Sequence, residues 1–269
     1  MSASLPTIAI LGAGSMGGAI LSGLVTSGRD DVRVTTRSAE SAAAIAGAIS
    51  TEVDPQANRV AVRGARVVLL GVKPLMVADL LREIADDLEK DAIVISLAVG
   101  VTSQTMEALI PAAVIRAMPN TPSLVGRGVT GLSAGSRPTA ADMDIAVAIF
   151  ETVGTVLVVP EEKLDSLSTI SGSGPAYVFL LIEELTKTAI GLGFSDDEAA
   201  AMVNGTFRGA SELLAASDSG PAELRRKVTS PKGTTERAIA VLQEADLSGL
   251  FDLATAAALA RAKELAASA

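Results

Sequence analysis

An α/β fold is what this sequence predicts: a mostly parallel, helix-flanked sheet over residues 1–160, followed by an all-α part over residues 161–269. Three observations carry that expectation. Short β-branched apolar runs alternate with helical stretches as far as residue 160. A glycine-rich turn follows the first of those runs. Beyond Pro160 no convincing strand pattern remains.

The strand runs are "TIAILG" (7–12), "VRVTT" (32–36), "RVVLLGV" (66–72), "AIVISL" (92–97), "AVIRAM" (113–118) and "GTVLVV" (154–159). Residues 16–27 and 75–88 read as helices between them. Strands that are apolar on both faces and separated by helices belong in a buried, mostly parallel sheet. After residue 160 the helix-like runs break at "SGSGP", "GLGFS", "SDSGP" and "SPKGT". Residues 176–191 are apolar nearly all round, and 253–267 carry a broad small-residue face. A helix apolar on most sides needs more partners than one small domain supplies. The C-terminal helices are therefore expected to form a dimerisation domain, with Tyr177 and Phe179 as core residues.

Composition excludes several functions. The net charge of −9 and pI near 4.7 argue against a nucleic-acid groove, which needs clustered Lys and Arg. Trp is absent and there is one Tyr, so a base-stacking platform is not expected. Without Cys there is no thiolate nucleophile, and without His the commonest general acid/base and metal ligand is missing. No metal site is expected. The first 28 residues hold no Lys or Arg, so no signal-peptide n-region is read there, and the apolar runs are too short to span a bilayer. The expected location is the cytoplasm, with no membrane partner.

"ILGAGSMG" puts Gly12, Gly14 and Gly17 in Gly-x-Gly-x-x-Gly order between a strand and a helix, the fingerprint of a Rossmann-type dinucleotide site. Gly12 permits the tight turn, Gly14 lets a pyrophosphate approach, and Gly17 lets helix and strand pack closely. An NAD site would end the second strand on an acid. Here the strand ends on Thr36, Arg37 and Ser38, and no carboxylate appears before Glu40. A guanidinium with flanking hydroxyls suits a 2′-phosphate, so NADPH is favoured, with NADH the alternative. Lys73, in "GVKP" (71–74), borders the same sheet edge and by itself decides nothing.

Three further motifs, "RAMPNTP" (116–122), "SGSGPAYVF" (171–179) and "VTSPKGTT" (228–235), join "LGAGSMG" and "GVKP" in one order along the chain. Together they resemble the pyrroline-5-carboxylate reductase family over nearly the whole length. That resemblance implies NAD(P)H-dependent reduction of Δ1-pyrroline-5-carboxylate to L-proline, the last step of proline synthesis. It also implies a homodimer interlocked through the C-terminal helices, with assembly beyond the dimer a further implication. The family's cofactor contacts fall on Leu11, Gly12, Ala13, Gly14, Ser15 and Met16, on Arg37 and Ser38, and on Asn58. They continue on Gly71, Val72, Lys73 and Pro74, and on Leu97, Ala98 and Val99. Its substrate contacts fall on Gly233, Thr234 and Thr235, with Ser230 beside them. One departure stands out, since Lys232 occupies a position where the family usually carries glycine.

The residues make chemical sense without the resemblance. A cyclic imine is protonated readily near neutral pH, so the electrophile arrives activated, and the protein's task is orientation. A loop of Ser230, Thr234 and Thr235 before a helix offers amides and hydroxyls for a carboxylate, and no strong acid is required. Thr235 is the expected catalytic residue, its hydroxyl meeting the imine nitrogen; a plain Ser/Thr helix cap is the competing reading. Within enzymes the alternative is a β-hydroxyacid dehydrogenase. Such enzymes resemble one another in a lysine donor soon after the glycine-rich turn, whereas the first lysine after "SGSG" here is Lys187. A non-catalytic NADP-binding sensor is the alternative outside enzymes. Glu161 and Glu162 lie at the junction of the two parts; solvation is the expected state of such acids, and facing the substrate is the alternative.

Overall fold

The computed structural model describes residues 5–267. One sheet contains β1 (Ile8–Leu11), β2 (Arg33–Thr36), β3 (Ile49–Ser50), β4 (Val67–Leu70), β5 (Ile93–Ser96), β6 (Ala113–Met118), β7 (Gly128–Ala134) and β8 (Gly154–Val158). Their order is β3-β2-β1-β4-β5-β6-β7-β8. Every pairing is parallel except β6 with β7. Each of the six strand runs read in the sequence is present, and β3 and β7 are additional.

Strand alternation sends β1 residues Ala9 and Leu11 to one face and Ile8 and Ile10 to the other, and both faces are buried. α3 (Ala57–Val62) and α4 (Pro74–Ile84) cover the first face through Val62, Val77, Leu81 and Ile84. α1 (Ser15–Thr26) and α6 (Ala140–Glu151) cover the second through Ile20, Leu24, Ile149 and Phe150. Burying a side chain of that size contributes roughly 1.5–3 kcal/mol. Two short helices, α2 (Ala39–Ala43) and α5 (Ser103–Glu107), complete the connections. This is the doubly wound, mostly parallel sheet that the strand pattern implies. The chain leaves β1 toward β2 on one side and returns as β4 on the other. That switch of direction opens a crevice at the carboxyl ends of β1 and β4.

The remaining elements are helical: α7 (Leu164–Leu167), α8 (Gly174–Gly191), α9 (Asp196–Ala215), α10 (Pro221–Lys227), α11 (Thr234–Glu244) and α12 (Leu247–Ala267). Three of the four expected breaks are present. The fourth, at "SGSGP", is a π-helical turn over Ser168–Gly172 that runs on into α8, with Ser173 N–H donating to Ser168 C=O at 2.9 Å. Pro175 is tolerated there because the Ser171 C=O, four residues back, accepts instead from Asn120 Nδ2 at 2.9 Å, so the missing N–H leaves no carbonyl unpaired. The residues form two compact units: one runs to Ser173 and takes in the chain from Ala258, and the other is Gly174–Ala257. Among the described residues no helix is long and apolar enough to cross a membrane.

Candidate active site

The first candidate region is the turn between β1 and α1. Gly12 has φ +84°, a backbone that glycine adopts without a Cβ penalty, and a Cβ there would lie 2.9 Å from Val72 Cγ1. A Cβ on Gly71 would stand 2.3 Å from Gly12 C=O, so the ends of β1 and β4 meet backbone to backbone. A Cβ on Gly17 would likewise come within 2.9 Å of Gly12 C=O. Gly14 differs: nothing stands within 4 Å of where its Cβ would be. Gly14 is also the N-cap of α1 and no side chain caps that helix, which leaves the first-turn amides of Ser15, Met16 and Gly17 without a side-chain acceptor. Open space before uncapped amides fits a pyrophosphate. Leu11 is fully buried, and its carbonyl accepts from Gly71 N–H at 2.8 Å.

Two adjoining cavities open beside this turn. One of about 230 Å3 is lined by Ala13, Gly14, Ser38, Ser41, Gly71 and Lys73, among others. One of about 400 Å3 adds Thr35, Asn58, Asp79 and Glu83, and Gly12, Thr36, Arg37, Val72 and Met76 line both. The main chain of Arg37 is held, its carbonyl accepting from Ser50 Oγ at 2.9 Å and Glu52 N–H at 3.2 Å. Its side chain is exposed and has no carboxylate partner among the described residues. The neighbouring hydroxyls do local work: Thr36 Oγ1 donates to Ser38 C=O at 3.0 Å, and Ser38 Oγ caps α2 by accepting from Ser41 N–H at 3.2 Å. Asn58 is buried and accepts from Thr35 Oγ1 at 2.7 Å. Lys73 is the N-cap of α4, with Pro74 in the first turn behind it. Leu97 N–H donates to Leu70 C=O at 3.1 Å, Ala98 is buried, and Val99 is exposed at the end of β5. Asp79 and Glu83 escaped the sequence reading, although with Leu75, Met76 and Leu80 they recur at the three- and four-residue spacing of one helix face.

A second cluster at the same sheet edge was also missed. Arg116, buried on β6, donates Nη1 to Glu161 Oε1 at 2.9 Å. The Glu161 carboxylate also accepts from Ser103 N–H at 2.8 Å and from Ser103 Oγ. Burial pushes its pKa up, but the hydrogen bonds from Ser103 and Arg116 outweigh that and hold the carboxyl below its ordinary range. Glu161 is thus a paired acid and not the solvated one expected. Asn120 accepts from Val129 N–H at 2.8 Å and donates Nδ2 to Ser171 C=O at 2.9 Å, which ties "MPNTP" to the π-turn. An arginine inside the apolar run "AVIRAM" was the available signal, because a buried cation requires a partner.

The loop 228–235 belongs to the second unit. Gly233, and neither threonine, is the N-cap of α11, and no side chain caps the helix. Thr234 and Thr235 lie in its first turn, exposed, with no hydrogen-bond partner for either hydroxyl among the described residues. The plain-cap reading of Thr235 is therefore not what this geometry gives. Gly233 N–H closes onto Ser230 C=O at 3.0 Å, and a Cβ on Gly233 would lie 2.5 Å from Ser230 Oγ. Lys232 has φ +62°. That left-handed backbone costs a side chain about 1–2 kcal/mol. Its N–H donates to Glu236 Oε2 at 2.9 Å.

Lys187 lies along α8, exposed, between Glu183 Oε1 at 2.7 Å and Glu184 Oε1 at 2.8 Å. The hydrogen bonds that its ammonium donates to those carboxylates push its pKa up, the wrong direction for a proton donor near neutrality. Tyr177 packs against Phe251 with ring centroids 6.1 Å apart. Phe179, expected in the core, is 65% exposed, because the face of α8 that carries it is left uncovered within the chain.

Residues 161–265 match the family model described as pyrroline-5-carboxylate reductase dimerisation, and residues 7–100 match one described as NADP oxidoreductase, coenzyme F420-dependent. The chain is 38% identical over 268 residues to a pyrroline-5-carboxylate reductase of Pseudomonas aeruginosa, covering 98% of each chain. It is 36% identical to that of Mycobacterium tuberculosis, covering 96% of each. Among solved structures it is similar to a pyrroline-5-carboxylate reductase of Coxiella burnetii, with TM-score 0.89, 37% identity, and 97% of this chain and 99% of that one covered. A Plasmodium falciparum pyrroline carboxylate reductase with NADP bound shares the fold at TM-score 0.83 and 24% identity, over 97% and 98% of the two chains.

Proposed function

We propose a residue-level account of the reaction from one premise: the chain belongs to the pyrroline-5-carboxylate reductase family. It reduces Δ1-pyrroline-5-carboxylate to L-proline with hydride from NAD(P)H, the step that completes proline biosynthesis. When bound, the reduced nicotinamide supplies the hydride. The uncapped first turn of α1 would hold the pyrophosphate on the amides of Ser15, Met16 and Gly17. Asn58, Lys73 and the Leu97–Val99 segment would border the rest of the cofactor. Arg37 would hold a 2′-phosphate, and its lack of a carboxylate partner supports NADPH as the favoured cofactor.

The observation that carries the substrate assignment is the uncapped N-terminus of α11 behind Ser230 and Gly233. Its amides and dipole suit the imine's carboxylate, and the free Thr235 hydroxyl suits the ring nitrogen, to which it donates as that nitrogen becomes an amine. Orientation in this form asks for no His and no Cys. Lys187, the alternative donor for carbonyl reduction, is tied up by Glu183 and Glu184.

Thr235→Ala tests the assignment. Because Gly233 is the cap, alanine in the first turn should leave the melting temperature unchanged or slightly raised, by a helix-propensity gain of about half a kcal/mol. The kcat/KM for pyrroline-5-carboxylate should fall at least tenfold, about 1.4 kcal/mol in the transition state, with NADPH binding preserved. A folded variant with wild-type kcat/KM would take Thr235 out of the mechanism.

The protein assembles as a homo-oligomer. The interface we assign to it is built from α8, α9, α11 and α12, which carry exposed Phe179, Leu180, Leu213, Val241, Leu250 and Leu253.

A further inference from the structure

We propose that Lys232 is a specificity-determining cation, whose ammonium draws the anionic imine to the α11 loop and sets its KM. This rests on the reading that the loop binds the substrate carboxylate. Two observations carry it. Lys232 holds a left-handed backbone, φ +62°, next to the N-cap Gly233, in a conformation that favours glycine. Glu236 fixes that conformation by accepting the Lys232 N–H at 2.9 Å, while the ammonium itself has no partner among the described residues. A strained backbone that keeps an unpaired charge beside a free helix N-terminus is explained if the charge acts on a ligand.

The charge distribution gives the same answer from another direction. The chain as a whole carries −9, a field that repels an anionic substrate. Residues 223–237 reverse it, with five cations against two carboxylates. Arg226 is paired with Glu223 at 2.6 Å, and Lys227 donates to Ser219 Oγ at 3.0 Å. Arg225, Lys232 and Arg237 have no carboxylate partner among the described residues, and of these Lys232 adjoins the N-cap. Glycine at this position would relieve the backbone and surrender the cation.

The test is steady-state kinetics on Lys232→Met, Lys232→Arg and Lys232→Gly, from low ionic strength to about 0.5 M sodium chloride, where screening acts within a few ångströms. Wild-type KM for pyrroline-5-carboxylate should rise with salt while kcat holds. Lys232→Met should raise KM about two- to tenfold at low salt and flatten its salt dependence, with KM for NADPH unchanged. Lys232→Arg should restore both KM and its slope. Lys232→Gly should match Lys232→Met in KM yet melt higher, which separates the charge from the backbone. Unchanged KM and an unchanged salt slope in Lys232→Met overturn the proposal. Thr235→Ala, measured alongside, tells the two failures apart. If it is impaired while Lys232→Met is not, the loop binds substrate and Lys232 does not select it; if neither is impaired, the loop reading falls and the proposal with it.

Discussion

Arg37 bears on cofactor choice because of what surrounds its guanidinium. No acid pairs with it among the described residues, Thr36 and Ser38 spend their hydroxyls on the local turn, and both cavities open against it. Arg37→Asp should therefore weaken NADPH far more than NADH, by roughly 1.5–3 kcal/mol for a lost charge-assisted contact. Separate Michaelis constants for the two cofactors decide the matter, and wild-type values for both would reduce Arg37 to a surface charge. At this scale the sequence is most legible where a residue type is unusual for its place, as with arginine at a strand end that normally carries an acid. It is least legible where pairing decides. Nothing in "PEEK" distinguishes Glu161, held by Ser103 and Arg116, from exposed Glu162, because the partners lie on β6 and α5.

Glu161 joins the 3-10 turn Glu161–Lys163 to β6 and to the start of α5, so its ionisation is a property of how these elements are fastened together. Its folded carboxyl titrates below the ordinary value of 4.5. The stability it contributes is therefore complete above about pH 4.5 and is lost as pH falls through the lowered value. Glu161→Gln should cost about 1–3 kcal/mol at neutral pH by leaving the Arg116 guanidinium poorly satisfied. It should also flatten the acid limb of the melting profile. A variant whose melting temperature falls with pH in parallel with the wild type would assign the acid limb to other carboxylates.

Element by element, the six strands with continuous β-branched sequence were readable, and β7 was not. The run "GVTGLSA" carries glycines that look like turn signals. The structure gives them another purpose: a Cβ on Gly128 would lie 2.1 Å from Ser123 Oγ, and one on Gly131 would lie 2.8 Å from Leu167 Cδ1. They are strand glycines that admit close neighbours, a distinction made by tertiary packing and not by local pattern. The π-turn at Ser168–Gly172 escaped for the opposite reason, since "SGSGP" reads as a breaker and yet the helix runs through it.

For the molecule as a whole, the decisive contrast is in burial. The sheet unit has a core on each face. In Gly174–Ala257 the only buried hydrophobic residues are Ala189, Ala199 and Val203. Three small side chains cannot offset the conformational entropy of ordering four helices and most of a fifth. Phe179, Leu180, Leu213, Leu214, Val241, Leu242, Leu250 and Leu253 are meanwhile exposed, a set far beyond scattered surface apolar residues. The composition of α8 already carried this message in the sequence, as a helix with no polar face wide enough for solvent. We therefore predict an obligate two-fold dimer in which these helices supply one another's core. In a two-fold interface each substitution counts twice. Phe179→Asp removes about 1.5–3 kcal/mol of burial per copy, or roughly 3–6 kcal/mol per dimer, before any cost of placing a carboxylate there. The dissociation constant should then rise by about two to four orders of magnitude. Light scattering across the micromolar range should find wild-type dimers or larger multiples, and smaller, less stable, less active particles for Phe179→Asp. A wild-type monomer that is stable and active at micromolar concentration sinks the obligate dimer. A Phe179→Asp protein that dimerises as tightly as the wild type leaves the dimer standing and moves its interface off this face of α8.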